Sequence, residues 1–135
     1  MIFVDTSAFI ARFNTKDKYQ KESVGFFEKV RQERILMITS DYIIDETITA
    51  LFSRTRSFEI AKKYGEAIIV SMVIKKIWTS EKYFEEAWSI FKKEGSMGLS
   101  FTDCVSVAIM RRGLNINRVF TFDSHFRLMG FEIVP

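Results

Sequence analysis

The chain is 135 residues long, which suits one domain, so we expect a single domain spanning residues 1–135. With 47% hydrophobic and 27% charged residues, the composition is that of a globular protein and excludes a largely disordered chain. The net charge of +3 is compatible with an anionic partner without demonstrating one. Cys104 is the single cysteine, which excludes an intrachain disulfide and makes a reducing cytoplasm the expected location. No apolar run approaches the roughly 20 residues of a membrane span, so we expect no membrane association.

The first half of the chain alternates short apolar runs with amphipathic segments. Apolar residues at helical spacing predict helices, and short apolar runs predict buried strands. The predicted elements are a strand at 2–4, helices at 5–13 and 17–32, a strand at 35–38, a helix capped by Ser40 or Asp41, and a helix from Ser57 to about Val70. In the helix after the second strand, we expect a core-facing stripe of Ile44, Ile48, Leu51 and Phe52 and an opposite polar stripe that includes Glu46.

The second half continues the alternation. The predicted elements are a strand at 72–78, a helix at 80–94, a loop at 95–98, a helix at 100–112 ended by Gly113, a strand at 118–122, a short turn to Met129 and a last strand at 131–134. In the helix at 80–94, we expect Phe84, Ala87, Trp88 and Phe91 to be buried. Short apolar strands separated by helices indicate an α/β fold with a parallel sheet covered on both faces.

Two acidic residues follow directly after predicted strands. Asp5 comes after the first strand and Asp123 after the fourth. In an open α/β sheet, both positions belong to the carboxyl edge, where ligands gather near a topological switch point. Asp103 begins the helix before the fourth strand, and Glu46 lies on the polar stripe of its helix. Four acids that are distant in sequence can therefore meet in one cleft.

Such a cluster suits metal-assisted hydrolysis of phosphodiesters. Mg²⁺ and Mn²⁺ prefer oxygen ligands, and close carboxylates are stabilised by a cation. One or two such ions can activate a water and stabilise the leaving oxygen. Thr6, Thr102 and Thr121 adjoin or nearly adjoin the acids, and their hydroxyls are candidates for orienting the metal ligands.

Each acid also has a purely structural interpretation. Asp5 and Asp123 can cap helices, Asp103 stands three residues after Ser100 as in a capping box, and Glu46 can be a solvated helix residue. For any one acid alone this interpretation is favoured, and only the combination makes a metal site comparably probable. His125 is the single histidine, so a zinc site of the usual His/Cys type is excluded.

Four segments resemble the PIN-domain ribonucleases, and in particular the VapC toxins of prokaryotic toxin–antitoxin pairs. The chain opens with MIFVDTSAFIA, like the family's strand that ends in Asp and Thr or Ser. SDYIIDETITAL is similar to the segment that carries the family's Glu, and LSFTDCVSVAIM to its third acidic motif. VFTFDSHF followed by GFEIVP resembles the closing motif. These motifs span the whole chain in the family's order, whereas residues 54–93 match in element order only.

The resemblance implies a three-layer α/β/α sandwich around a parallel sheet. It implies an endoribonuclease that depends on Mg²⁺ or Mn²⁺, forms a homodimer and is inhibited by a small cognate antitoxin. The implied acidic site is Asp5, Glu46, Asp103 and Asp123, with supporting hydroxyls from Thr6 and Thr102. Asp123 occupies the most variable of the four family positions. Asp45 adjoins Glu46 but points about 100° away around the helix, so the resemblance selects Glu46.

Three other functions remain open from the sequence alone. A structure-selective DNA nuclease can have a similar fold, but this chain is short for the additional substrate-binding elements of such enzymes. A receiver-type signalling domain also has an acid after its first strand, but it needs a lysine after its last strand, and this chain ends EIVP. A PIN module that only binds RNA or a protein partner is disfavoured by the four intact acids.

Overall fold

The computed structural model describes all residues, 1–135, and is built around a sheet of five parallel strands. The strand order is β3-β2-β1-β4-β5. The strands are β1 (Ile2–Val4), β2 (Met37–Ser40), β3 (Ile74–Ile77), β4 (Arg118–Phe120) and β5 (Glu132–Val134). In chain order, β2 and β3 therefore extend the sheet on one side of β1, and β4 and β5 extend it on the other side. The order reverses between β1 and β4, which is the switch point where α/β proteins place their ligands.

Seven α-helices flank this sheet. They are α1 (Thr6–Phe13), α2 (Gln20–Gln32), α3 (Asp41–Thr55), α4 (Phe58–Ile69), α5 (Glu81–Glu94), α6 (Phe101–Ala108) and α7 (His125–Leu128). The closest helix pairs are α5 with α6, α3 with α4, and α1 with both α2 and α3. None of these helices is long and apolar enough to cross a bilayer.

The central strand shows that both faces of the sheet are covered. Successive residues of a strand point to opposite faces, and Ile2, Phe3 and Val4 are all fully buried. Phe3 stands opposite both Ile38 of β2 and Val119 of β4, so β1 has a strand partner on each side. The predicted α/β fold with a parallel sheet between helical layers is confirmed.

Several element boundaries differ from those predicted, each for a local reason. The second strand runs to Ser40 because this residue is both the last strand residue and the N-cap of α3, where its side chain accepts from Ile43 N. The helix predicted from residue 17 begins at Gln20, because the Asp17 side chain accepts from Tyr19 N and holds a turn there. The fourth strand ends at Phe120, since Phe122 N donates to the Ser7 side chain instead of to a neighbouring strand.

The predicted core stripes of two helices were partly wrong. In α3 the buried residues are Ile43, Ile44, Thr47 and Leu51, whereas Phe52 is 53% exposed. In α5 Ala87 and Ile90 are buried, whereas Phe84 and Trp88 are 46% and 49% exposed. Both predictions failed because they assumed that the large aromatic residues of a helix are the ones buried in the core. In α5 the smaller side chains are buried against the core. The rings of Phe84, Trp88 and Phe91 instead surround Phe101 at the start of α6.

The helix predicted to run to Arg112 ends two residues later, at Leu114. After α6, a π-helical segment runs from Ile109 to Leu114, and the chain turns at Asn115, which has a left-handed φ of 48°. Asparagine tolerates this conformation better than most residues. Gly113 lies within the last turn, where a β-carbon would collide with the Tyr83 hydroxyl. A larger residue at Gly113 would therefore require the Tyr83 side chain to move, so this glycine serves close packing and not helix termination.

Candidate active site

A cavity of about 610 Å³ opens at the carboxyl ends of β1 and β4. All four predicted acids line it, and they arrive from four different elements. Asp5 lies directly after β1, and Asp123 follows β4 after a two-residue extension. Glu46 comes from the second turn of α3, and Asp103 from the first turn of α6. The structure thus brings together residues that are up to 118 positions apart in the sequence.

Asp5 is the most firmly held of the four acids. Its side chain is 4% exposed, and its backbone N–H donates to the Phe120 carbonyl at 3.0 Å, so β1 and β4 fix the residue between them. Carboxylate oxygen Oδ2 accepts from Ser7 N, Ser7 Oγ and Thr121 Oγ1 at 3.2, 2.8 and 2.8 Å. All three donors bond the same oxygen, which leaves Oδ1 available to a ligand. Asp5 therefore caps α1 and contributes to the cavity at once.

Burial changes the acidity of Asp5. Loss of solvent raises its pKa from 3.8 to about 6, even though the hydrogen bonds from Ser7 and Thr121 favour the charged form. The nearby negative charge of Asp103 raises the pKa further. Because burial disfavours the ionised form of this carboxylate, a cation placed beside it stabilises that form more than it would stabilise a solvated carboxylate.

Asp103 also has two roles. Its Oδ2 accepts from Ser100 N at 2.8 Å while its own N–H donates to Ser100 Oγ at 3.1 Å, which is the predicted capping box at the start of α6. Burial raises the pKa of Asp103, the two bonds to Ser100 oppose this shift, and the charge of Asp123 adds to it. All three aspartates line the same cavity, and the charge of a neighbouring acid contributes to the raised pKa of both Asp5 and Asp103.

Asp123 and Glu46 are held by single neighbours. Asp123 Oδ1 accepts from His125 N at 2.9 Å and lies 2.8 Å from His125 Nδ1. Glu46 Oε2 accepts a hydrogen bond from Thr6 Oγ1, although 40 residues separate the two in sequence. This bond ties α3 to the start of α1, so it positions Glu46 relative to Asp5.

The three candidate hydroxyls have different positions. Thr6 bonds Glu46, and Thr121 bonds Asp5 and also accepts from Asp123 N at 3.0 Å. Thr102 lies outside the cavity lining, and its recorded contact is a backbone one, from Ser106 Oγ to its carbonyl. The sequence analysis missed Ser7, whose hydroxyl bonds both Asp5 and Thr121. A hydroxyl two residues after an acid at a helix start was the available signal.

The donor set fits a hard divalent cation. The acids and hydroxyls around the cavity supply oxygen atoms only, which Mg²⁺ and Mn²⁺ prefer. No three of the acids form a closed cluster at ligand distance. A closed cluster is not required, because Mg²⁺ keeps several waters and is usually bound through one or two carboxylates. The free Oδ1 of buried Asp5 is the atom best prepared for such a contact.

Cations and aromatic rings complete the lining on the open side. Lys18 and Arg54 reach the cavity, as do the rings of Tyr19 and Phe122. Arg54 lies two helical turns beyond Glu46 on the same face of α3. Cys104 is fully buried, and burial together with the charge of Asp103 raises its pKa to about 11, as expected for a structural thiol.

The acidic cavity at the switch point of a parallel sheet is an arrangement typical of nucleases, and comparison with known proteins agrees. A family model described as the PIN domain matches residues 2–132. This chain belongs to the PIN domain family, whose fold is a nuclease fold. The predicted family is confirmed, and so is the prediction of a nuclease, whereas the receiver-type alternative is wrong.

Individual relatives narrow the comparison. The 23S rRNA-specific endonuclease VapC20 of Mycobacterium tuberculosis is 29% identical over 136 aligned residues, which cover 100% of this chain and 99% of that protein. Its crystal structure, described as a sarcin–ricin loop cleaving toxin, matches with a TM-score of 0.85 and 27% identity over 97% of this chain and 96% of that one. The predicted resemblance to VapC toxins is therefore confirmed.

Two more distant structures share the fold. VapBC2 from Rickettsia felis, bound to a promoter DNA fragment, matches with a TM-score of 0.66 at 14% identity over 99% of this chain and 98% of that one. FitAcB from Neisseria gonorrhoeae matches with a TM-score of 0.67 at 14% identity over 100% and 97%. At this level of identity the likeness supports the architecture alone.

Proposed function

We propose that this chain is a divalent-metal-dependent endoribonuclease and the toxin of a toxin–antitoxin pair. The observation that carries the proposal is the convergence of Asp5, Glu46, Asp103 and Asp123 on one cavity in a full-length match to an RNA-cutting PIN protein. The proposed location is the cytoplasm, where RNA substrates are found.

In this proposal, the chain's own residues bind the metal ion and the RNA and hold the acids in position. Asp5 presents Oδ1 to the cavity while Ser7 and Thr121 hold its other oxygen. Glu46 is held across the cavity by Thr6, and Asp103 is held by the first turn of α6. A Mg²⁺ or Mn²⁺ ion bound by these acids would supply the positive charge that lowers the pKa of water and offsets charge on the leaving oxygen. Lys18 and Arg54 attract the RNA backbone to the open side.

The products follow from this chemistry. Attack by water, and not by the ribose 2′-hydroxyl, breaks the bond between phosphorus and the 3′-oxygen. The cut then leaves a 5′-phosphate and a 3′-hydroxyl. Ribosomal RNA of the large subunit is the first substrate to test, because VapC20 is specific for 23S rRNA.

The proposed partners are a cognate antitoxin and a second copy of the chain. Both come from the resemblance to VapC toxins. Sedimentation of the purified protein tests the homodimer, and a single species at the monomer mass of 15.8 kDa across the micromolar range would contradict it.

The test of the proposed function is cleavage of purified prokaryotic RNA. Wild type and Asp103→Asn are compared in Mn²⁺, in Mg²⁺ and in EDTA, with single-stranded DNA as a parallel substrate, and the product ends are mapped. We expect metal-dependent cuts in RNA with 5′-phosphate ends, and a loss of at least about a hundredfold in rate in the variant. Asp45→Asn is the matched control, because Asp45 is exposed and lies outside the cavity.

Three outcomes would contradict the proposal. Ends carrying a cyclic phosphate would indicate attack by the 2′-hydroxyl. Equal rates for wild type and Asp103→Asn would separate the cutting from this cavity. Cutting of DNA in preference to RNA would support the structure-selective nuclease instead.

A further inference from the structure

Two aromatic rings stack beside the acids at the open side of the cavity. The Tyr19 and Phe122 rings have centroids 4.4 Å apart and an interplanar angle of only 6°. Both residues line the same cavity as Asp5 and Asp123. Phe122 also meets Phe120 of the core edge-on at 6.0 Å, so the pair rests on the core at one end. We call Tyr19 and Phe122 the aromatic pair.

The aromatic pair is held in fixed register with the acids. Phe122 N donates to Ser7 Oγ at 2.9 Å, and the same hydroxyl donates to Asp5 Oδ2 at 2.8 Å. Phe122 also directly precedes Asp123 in the chain. On the other side, the Asp17 side chain accepts from Tyr19 N at 2.9 Å and fixes the turn before α2. A ligand group placed on the pair would therefore sit at a defined distance from the acids.

The Tyr19 ring is covered on its outer side by an exposed lysine and not by the core. Tyr19 is partly exposed, and the Lys18 ammonium lies 4.6 Å from the centre of its ring. Lys18 is exposed and forms no ion pair with an acid. A flat group can displace this ammonium from the ring, and an adjacent phosphate can then receive it. Cation, ring and acids therefore all line one cavity.

We propose that the aromatic pair is a nucleobase subsite, on which one unpaired base of the RNA stacks next to the cleaved phosphodiester. The inference rests on the proposed function, because it assigns a substrate contact to the same cavity. Tyr19 supplies the stacking face, Phe122 supports it from the core, and Lys18 moves to the neighbouring phosphate. Sequence-tolerant stacking on aromatic rings is a common way in which proteins hold single-stranded RNA.

The test uses binding without cutting. A hexauridylate RNA carrying one 2-aminopurine, whose fluorescence is quenched when it stacks, is titrated with the full chain in EDTA. We expect the wild type to quench the 2-aminopurine and to bind this RNA more tightly than plain hexauridylate. Tyr19→Ala should lose the quenching and weaken binding about tenfold, whereas Tyr19→Phe should keep both. Phe58→Ala is the matched control, because Phe58 is 64% exposed on α4, which contributes nothing to the cavity.

The outcomes separate the subsite from the proposed function. Quenching that persists in Tyr19→Ala, with circular dichroism showing that the variant is folded, would overturn the subsite while leaving the nuclease intact. Equal loss of binding in Tyr19→Ala and Tyr19→Phe would also overturn it, since the hydroxyl and not the ring would then be responsible. Failure of the wild type to bind either RNA would overturn the subsite, and the cleavage assay in Mn²⁺ would decide the proposed function separately.

Discussion

Asp5 and Glu46 line the same cavity but are positioned in opposite ways. Asp5 is buried at the end of a central strand and receives three hydrogen bonds on one oxygen. Glu46 projects from the side of a helix, is only partly buried and receives one hydrogen bond from Thr6. The strand fixes its acid through backbone and core, whereas the helix offers an acid that a single hydroxyl steers. The first arrangement costs folding free energy, and the second costs little.

The largest effect expected from this difference is on stability. The folded-state pKa of Asp5 is raised from 3.8 to about 6, so its neutral form is favoured by folding. Well below the ordinary pKa of 3.8, the carboxyl is neutral in both the folded and the unfolded state, and no stability is lost. As the pH rises from about 4 to about 6, the unfolded chain loses this proton while the folded protein keeps it, so the free energy of unfolding falls by about 3 kcal/mol, and above pH 6 the loss is complete.

Asp5→Asn removes this penalty because asparagine stays neutral and its amide oxygen can accept the same bonds. In metal-free buffer we expect the variant to be more stable than wild type by up to about 3 kcal/mol at pH 8, and no more stable at pH 3.5. Glu46→Gln should show no comparable gain. Urea unfolding at the two pH values measures both. If Asp5→Asn were less stable than wild type at pH 8, the claim that ionised Asp5 destabilises the fold would be contradicted.

The next effect concerns the hydroxyls that hold the two acids. Thr121→Val keeps the shape of a buried residue while removing the bond to Asp5, and we expect its RNA cleavage rate to fall about 10- to 100-fold. Thr6→Val should cost less, because water can replace the hydroxyl at partly exposed Glu46. Cleavage rates of the two variants at saturating RNA show which substitution has the larger effect. The reverse order, with Thr6→Val the slower enzyme, would show that Glu46 is the more demanding ligand.

The positions of the acids followed from the sequence because they depend on chain order and strand ends. An acid directly after a buried strand of a parallel sheet must lie at its carboxyl edge, which placed Asp5 and Asp123. Capping and cavity lining were treated as alternatives for Asp5 and Asp103, but the structure shows that one carboxylate does both. A cap uses one carboxylate oxygen, and the other remains free for the cavity.

What the sequence could not provide was packing between distant segments. Thr102 adjoins Asp103 but lies outside the cavity, because neighbouring residues on a helix point about 100° apart. Tyr19 reaches the acids only because a turn before α2 brings it against Phe122, more than 100 positions away. The exposed aromatic residues of α3 and α5 were misassigned for a similar reason. Helical periodicity identifies a face, but it does not say which neighbour covers that face.

The central claim is that the acids of this cavity hold the catalytic metal ion. Calorimetric titration with Mn²⁺ at pH 7.5 tests it most directly, using wild type, Asp5→Asn, Glu46→Gln and the off-cavity control Asp45→Asn. We expect Mn²⁺ to bind wild type and Asp45→Asn with equal affinity, and Asp5→Asn at least about tenfold more weakly, with Glu46→Gln also weakened. Equal Mn²⁺ affinity in all four proteins would contradict the account, because the ion would then bind somewhere other than the cavity.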